Sequence, residues 1–153
     1  MAILIDANTR VVVSGLTGRE GTFHAGQMLA YGTQVVAGVT PGKGGQTWTS
    51  PDGAHTVPVF DTVAEAAQKT GATAHFVTVP PRFAAESILE GAAAGMELIV
   101  CITDLIPQQD MIPVVHHVKQ IARTRLIGPN CPGLLSAGQS KIGIIPQSNF
   151  TPG

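Results

Sequence analysis

Residues Arg10 to His24 read R-V-V-V-S-G-L-T-G-R-E-G-T-F-H. A β-branched run, Val11 to Val13, breaks at Gly15, and Gly18 and Gly21 follow at intervals of three. The chain then takes helical character through Leu29 and Tyr31. A buried strand that ends in a glycine turn at a helix start is a device for holding phosphate. The turn frees backbone N–H groups, and the helix N-terminus adds partial positive charge. Glycine is required wherever the backbone approaches the ligand closely. The spacing here is G-x-x-G-x-x-G, whereas the dinucleotide fingerprint is G-x-G-x-x-G. On spacing alone the turn either holds a phosphate or is a plain tight turn.

The flanking sequence supplies a fold. The first strand is expected over Arg10–Ser14, then a helix from Gly18 to about Tyr31 with Gly32 as its stop. Gln34–Val39 reads as the second strand, followed by a long loop, Thr40–Thr56, with P-G-K-G-G and S-P-D-G as turn signals. Val57–Phe60 is a short extended piece, and Asp61 or Thr62 caps a helix with Val63 and Ala67 on its apolar face. Ala74–Val79 is the third strand, stopped by Pro80 and Pro81. A helix over Phe83–Ala94 closes at Gly95, and Leu98–Ile102 is the fourth strand. Gln108 to about Thr124 is helical, Arg125–Gly128 is a short fifth strand, Pro129–Gly133 is a turn, and Lys141–Ile145 is a candidate last strand. Met1–Asn8 is a lead-in expected to pack Ile3, Leu4 and Ile5. The terminal T-P-G reads as a turn into further chain. Strands alternating with helices imply an α/β domain, a Rossmann-like doubly wound parallel sheet.

Composition agrees with one such domain over residues 1–153. Hydrophobic residues make up 44% and glycine counts 18, as a buried parallel sheet with many turns requires. Net charge is -1, which gives no electrostatic case for nucleic acid. No apolar run approaches the roughly 20 residues that span a bilayer. Asp6 stands early and no basic segment precedes the apolar stretch, unlike a signal peptide. Cys101 and Cys131 form no disulfide framework, so a reducing compartment is expected. With only 12% charged residues, the surface should be apolar enough to meet a partner chain.

In such sheets the ligand sits beyond the carboxyl ends of the strands, where the winding reverses. Following the strands are Gly15, Thr17, Gly18, Arg19 and Glu20; then Thr40, Pro41 and Lys43; then Pro80 and Pro81; then Thr103 and Asp104; then Asn130 and Cys131. The second set discriminates. An NAD site has an acidic residue at the end of its second strand, for the ribose hydroxyls. No Asp or Glu occurs from Gly21 through Ser50, and Lys43 stands there among glycines. A cation at this point suits a ligand with a phosphate near its adenosine ribose, as in NADP or coenzyme A; otherwise Lys43 is a solvated loop lysine. Asp104 either accepts from a ligand or caps the next turn. Cys131 either lies near a thiol or acyl group or is structural, and Asn130 shapes its turn. His24 packs or binds backbone. His116 and His117 are adjacent, about 100° apart on a helix, and make a poor metal pair. No metal site and no Ser-His-Asp set is expected.

Taken together, I-L-I-D-A-N-T-R, G-L-T-G-R-E-G-T-F-H, Y-G-T, V-A-G-V-T-P-G-K-G-G, V-P-V-F-D-T-V-A-E-A, I-T-D-L-I-P-Q-Q-D-M, I-G-P-N-C-P-G and K-I-G-I-I-P span essentially the whole chain. In this order they resemble the N-terminal coenzyme A-binding domain of succinate–CoA ligase α subunits. The resemblance implies that Thr17, Gly18, Arg19 and Glu20 contact coenzyme A together with the glycine turn that begins at Gly15. It implies that Lys43 meets the phosphates and that Ile102, Thr103 and Asp104 line the pantetheine side. Val39, Pro41, Val79, Ser87 and Asn130 carry over more weakly. In the family, acid and nucleoside triphosphate form an acyl-phosphate by way of a phosphohistidine loop, and coenzyme A takes the acyl group. The resemblance puts that histidine in a second domain of the α subunit, outside these 153 residues, and the nucleotide site in a β subunit. It thus implies coenzyme A binding without turnover by this chain alone, in the cytoplasm or the mitochondrial matrix.

Three departures bear on the acid substrate. Gln46–Val57 carries extra residues, Asp104 stands where the family usually has Glu, and Q-S-N-F-T-P-G replaces a G-H-x-x-x-P-G tail. They leave room for a paralogue acting on malate, citrate or a sulfonated acid. A free-standing coenzyme A or NADP sensor is a second reading. An NADP oxidoreductase is a third, though no hydride-site residues support it.

Overall fold

The apolar run Arg10–Ser14 forms β1, whose residues Val11, Val12 and Val13 are wholly buried. A computed structural model describes residues 3–152. Around β1 the chain builds β2 (Gln34–Val39), β4 (Thr56–Phe60), β5 (Ala74–Val77), β6 (Leu98–Cys101) and β7 (Arg125–Ile127), all joined in parallel. β3 (Thr47–Thr49) adds an antiparallel edge strand beside β4. The order across the seven-stranded sheet is β3-β4-β2-β1-β5-β6-β7. The parallel strands are therefore wound outward in both directions from β1, and the winding reverses between β1 and β5.

Helix α1 (Arg19–Tyr31) crosses one face between β1 and β2. Helices α2 (Val63–Thr70), α3 (Pro81–Ala93) and α4 (Gln108–Gln120) cover the other. Alternate residues of β1 serve the two layers: Val11 and Val13 meet Ala25 and Met28 of α1, while Val12 packs with Ala84 and Ile88 of α3. This is the burial on both faces that gives parallel strands their continuous apolar runs. A two-stranded hairpin, β8 (Gly133–Ser136) and β9 (Ser140–Gly143), sits on the α1 side. Thr33 ties it down: its Oγ1 donates to the Lys141 carbonyl at 2.7 Å and accepts from the Lys141 N–H at 2.9 Å.

Several boundaries depart from the sequence reading. The loop expected over Thr40–Thr56 contains β3, and the extended piece after it is a full parallel strand, β4. Thr62, not Asp61, caps α2, its hydroxyl accepting from the Glu65 N–H. Pro81 starts α3 instead of only stopping the strand before it, because the first helical position needs no N–H. α4 ends at Gln120, where Ile121 turns extended, short of the expected Thr124. The strand expected over Lys141–Ile145 is β9, and its partner β8 was not anticipated. In the lead-in only Ile5 packs; Ile3 and Leu4 are exposed, and Met1 and Ala2 lie outside the described residues. No helix among the described residues is long and apolar enough to cross a membrane.

Candidate functional site

The carboxyl ends of β1, β2, β5 and β6 open onto one cleft of about 890 Å³. Its position follows from the winding. α1 leaves β1 toward one face and α3 leaves β5 toward the other, so the sheet edge between them is uncovered.

One wall is the glycine turn. The Gly15 N–H donates to the Val39 carbonyl at 3.0 Å, and the Gly18 N–H to the Gly15 carbonyl at 3.0 Å. Gly15 takes φ +85°, a left-handed conformation that favours glycine. A Cβ on Gly21 would lie 2.0 Å from the Gly15 carbonyl oxygen. The first turn of α1 thus sits on the loop at a distance only a hydrogen permits. Gly18 caps α1 without a side-chain hydrogen bond, which leaves that end to be met by solvent or a ligand. The N-terminus of α3 across the cleft also has no side-chain cap, and its Pro81 carries no N–H.

Of the residues singled out from sequence, Gly15, Thr17, Gly18, Arg19, Glu20, Val39, Pro41, Val79, Ser87, Ile102, Thr103 and Asp104 all line this cleft. Lys43 and Asn130 are not on its wall. The Lys43 ammonium reaches the rim, donating to Thr17 Oγ1 at 3.4 Å, and Thr17 Oγ1 in turn pairs with Thr40 Oγ1 at 3.0 Å. Asn130, at φ +50°, donates its backbone N–H to the Thr103 carbonyl at 3.0 Å. It braces the loop after β6 from behind.

Charge is unevenly spread. Arg19 and Lys43 gather at the α1 side, and neither has an ion-pair partner among the described residues. The carboxylates Glu86, Glu90 and Asp104 lie on the α3 and β6 side. Glu90 accepts from the Val63 N–H at 2.7 Å, and Asp104 accepts from the N–H of the next residue, Leu105, at 2.6 Å. Asp104 faces the cleft, and the helix that follows, α4, has Pro107 at its N-cap and no side-chain cap. Glu20 stands 3.3 Å from His24 Nε2 one helical turn on. Burial holds His24 below its ordinary value, while Glu20 pulls the other way. His24 thus contacts a carboxylate, not the backbone. The apolar share of the cleft includes Val39, Pro41, Val79, Pro80, Pro81, Phe83 and Ile102.

Cys131 is structural. Its thiol donates to the Cys101 carbonyl at 3.3 Å, and burial pushes its pKa up, away from reactive thiolate. His116 and His117 are exposed on α4, and the described residues contain no group of His, Cys, Asp or Glu arranged to hold a metal. Ser14, Thr78 and Phe83 also line the cleft and were not singled out from sequence. Ser14 is the last residue of an apolar strand and gives no local signal. Phe83 could have been found as an aromatic one turn into a helix that opens at a strand end.

A glycine turn, an uncapped helix start and a basic rim at the winding reversal define a Rossmann-like domain that receives a phosphate-bearing ligand. Residues 6–105 match the CoA binding domain family, and the chain belongs to it. It is 50% identical over its full length to the α subunit of succinate–CoA ligase (ADP-forming) from Aquifex aeolicus, covering 48% of that protein. It is 49% identical over its full length to the malate–CoA ligase α subunit of Methylorubrum extorquens, covering 51% of it. The chain thus spans about half the length of these relatives. Among solved structures, ATP citrate lyase from Methanothrix soehngenii, in complex with citrate and coenzyme A, superposes with a TM-score of 0.78 at 20% identity. That match covers 92% of this chain and 24% of the other and bears on the fold alone.

Proposed function

We propose that the chain binds coenzyme A in the cleft between β1 and β5, as the coenzyme A-holding part of an ADP-forming acid–CoA ligase. The observation that carries this reading is the basic group at the end of β2. Lys43, held at Thr17, stands where an NAD site has a carboxylate, and it suits a ribose phosphate. Thr17, Gly18, Arg19 and Glu20 then meet the phosphates at the helix start. Val39, Pro41, Val79 and Ser87 enclose the nucleotide half, and Ile102, Thr103 and Asp104 line the path of the pantetheine arm. Asn130 supports Thr103 from outside.

By analogy with relatives half identical to it, the whole enzyme joins succinate to coenzyme A, with a β subunit carrying the nucleotide site. Malate is the second reading for the acid, favoured by the malate–CoA ligase relative at 49% identity. The chain alone is expected to bind without turnover. The unpaired Cys101 and Cys131 suit a reducing cytoplasm. Crystals grown with coenzyme A test the reading. Density for the ligand is expected between the Gly15–Gly21 turn and the Pro80–Phe83 corner. An empty cleft, or the ligand on another face, would overturn it.

A further inference from the structure

Asp61 follows β4 and precedes the cap of α2, so it stands at the carboxyl edge of the sheet beside the turn that leaves β2. Its Oδ1 accepts from two backbone N–H groups, Gly42 at 2.8 Å and Gly44 at 3.0 Å. The fit is close: a Cβ on Gly44 would lie 2.5 Å from Oδ2 and 2.7 Å from Cγ of Asp61. N–H groups converging from neighbouring residues form a small anion-binding nest. Here the chain's own carboxylate fills it. The residue between the two donors is Lys43. The rest of the turn is drawn in by Lys43 N–H to the Thr40 carbonyl and Gly45 N–H to the Val59 carbonyl, both at 3.0 Å.

Two consequences follow. The nest is already occupied, so its N–H groups are not free for a ligand phosphate, and the turn offers its ammonium group instead. Asp61 also acts through the backbone and forms no ion pair with Lys43 among the described residues. The lysine charge stays uncompensated at Thr17, on the rim of the cleft.

We propose that Asp61 is a positioning residue for phosphate selectivity: by filling the nest over Gly42 and Gly44, it aims Lys43 at the ribose phosphate of the bound nucleotide. The inference rests on the coenzyme A reading of the cleft. It concerns the preference for a ribose-phosphorylated nucleotide over the same nucleotide without that phosphate.

The test is calorimetric titration of the chain and three variants with coenzyme A and with dephospho-coenzyme A. Wild type should favour coenzyme A. Asp61→Ala removes the acceptor, and Gly44→Ala pushes the carboxylate out of the nest. Each should weaken coenzyme A binding about fivefold to tenfold and leave dephospho-coenzyme A within about twofold, the scale of one charge-assisted phosphate contact. Retained binding of dephospho-coenzyme A also shows that the variants are folded. Asp61→Asn keeps an acceptor oxygen and should bind coenzyme A no more weakly than wild type. Equal losses for both ligands, no loss in either alanine variant, or tighter coenzyme A binding by Asp61→Ala would overturn the inference. Wild type that binds both ligands equally removes the Lys43 grip, and the inference with it, while leaving the cleft reading intact. Wild type that binds neither overturns the cleft reading itself.

Discussion

His75 Nε2 lies 2.7 Å from Ser14 Oγ, a buried pair that joins β5 to β1 at the point where the sheet's winding reverses. The other ring nitrogen, Nδ1, has no partner and faces Gly91 of α3, where a Cβ would come within 2.3 Å of it. An unpaired buried N–H is costlier than an unpaired ring acceptor. The proton therefore belongs on Nε2, which donates to Ser14. Ser14 also lines the cleft, so this pair fixes part of its floor.

That pair makes stability pH-dependent. Burial lowers the His75 pKa to about 3, so the folded chain keeps the ring neutral. Above about pH 7.5 both states are neutral at this site and nothing is lost. As pH falls below that, the unfolded chain takes up a proton that the folded chain refuses, and stability declines toward the folded pKa. Between about pH 7.5 and about pH 5 wild type should lose about 2 kcal/mol more than His75→Gln, which keeps a donor but does not titrate. Chemical denaturation at the two pH values measures this. Parallel losses in both proteins would show that the ring titrates freely in the fold.

Gly18 and Gly21 separate binding from folding. Gly18 is exposed at φ −80°, and a Cβ there meets only the Gly15 carbonyl oxygen at 3.2 Å. Gly18→Val should keep the melting temperature within a few degrees and weaken coenzyme A binding at least about tenfold, because the side chain enters the phosphate end of the cleft. Gly21→Ala instead drives a methyl into the Gly15 backbone and should cost about 2 kcal/mol or more of stability. Thermal melts paired with titrations read both. Undiminished binding by Gly18→Val would put the ligand elsewhere.

Much of this was legible in the chain. The glycine spacing, the Val11–Val13 run and the alternation of strand and helix were enough to specify a doubly wound sheet. Reading the strand ends also singled out Gly15, Thr17, Gly18, Arg19, Glu20, Pro41, Thr103 and Asp104, which line one cleft; Val39, Val79, Ser87 and Ile102 came only from the family resemblance, and Lys43 and Asn130 stand off the wall. What escaped was whatever depends on pairing across distance. β3 has three residues in a loop rich in glycine and turn signals, and it is a strand only because β4 lies beside it. β8 becomes visible only against β9. Asp61 reads locally as a helix cap, and its bonds to Gly42 and Gly44 require β2 and β4 to be neighbours. Ser14 and His75 are 61 residues apart, and their contact follows from strand register.

The β3–β4 hairpin has its own anchor. Trp48, the only tryptophan, is buried on β3, and its Nε1 donates to Thr22 Oγ1 of α1 at 3.2 Å. Trp48→Phe should cost about 1 kcal/mol from the lost hydrogen bond, and Trp48→Ala about 3 kcal/mol or more from the lost packing. Urea denaturation followed by circular dichroism measures both. A cost below about 0.5 kcal/mol for the alanine variant would mean that the hairpin does not brace α1.

The central claim is that the cleft at the reversal of the sheet takes coenzyme A, and the most direct measurement is titration of the chain with coenzyme A and, separately, with NADP and NAD. Saturable binding of coenzyme A, clearly tighter than either dinucleotide, is the predicted result. No heat from coenzyme A, or stronger binding of NADP, would contradict it.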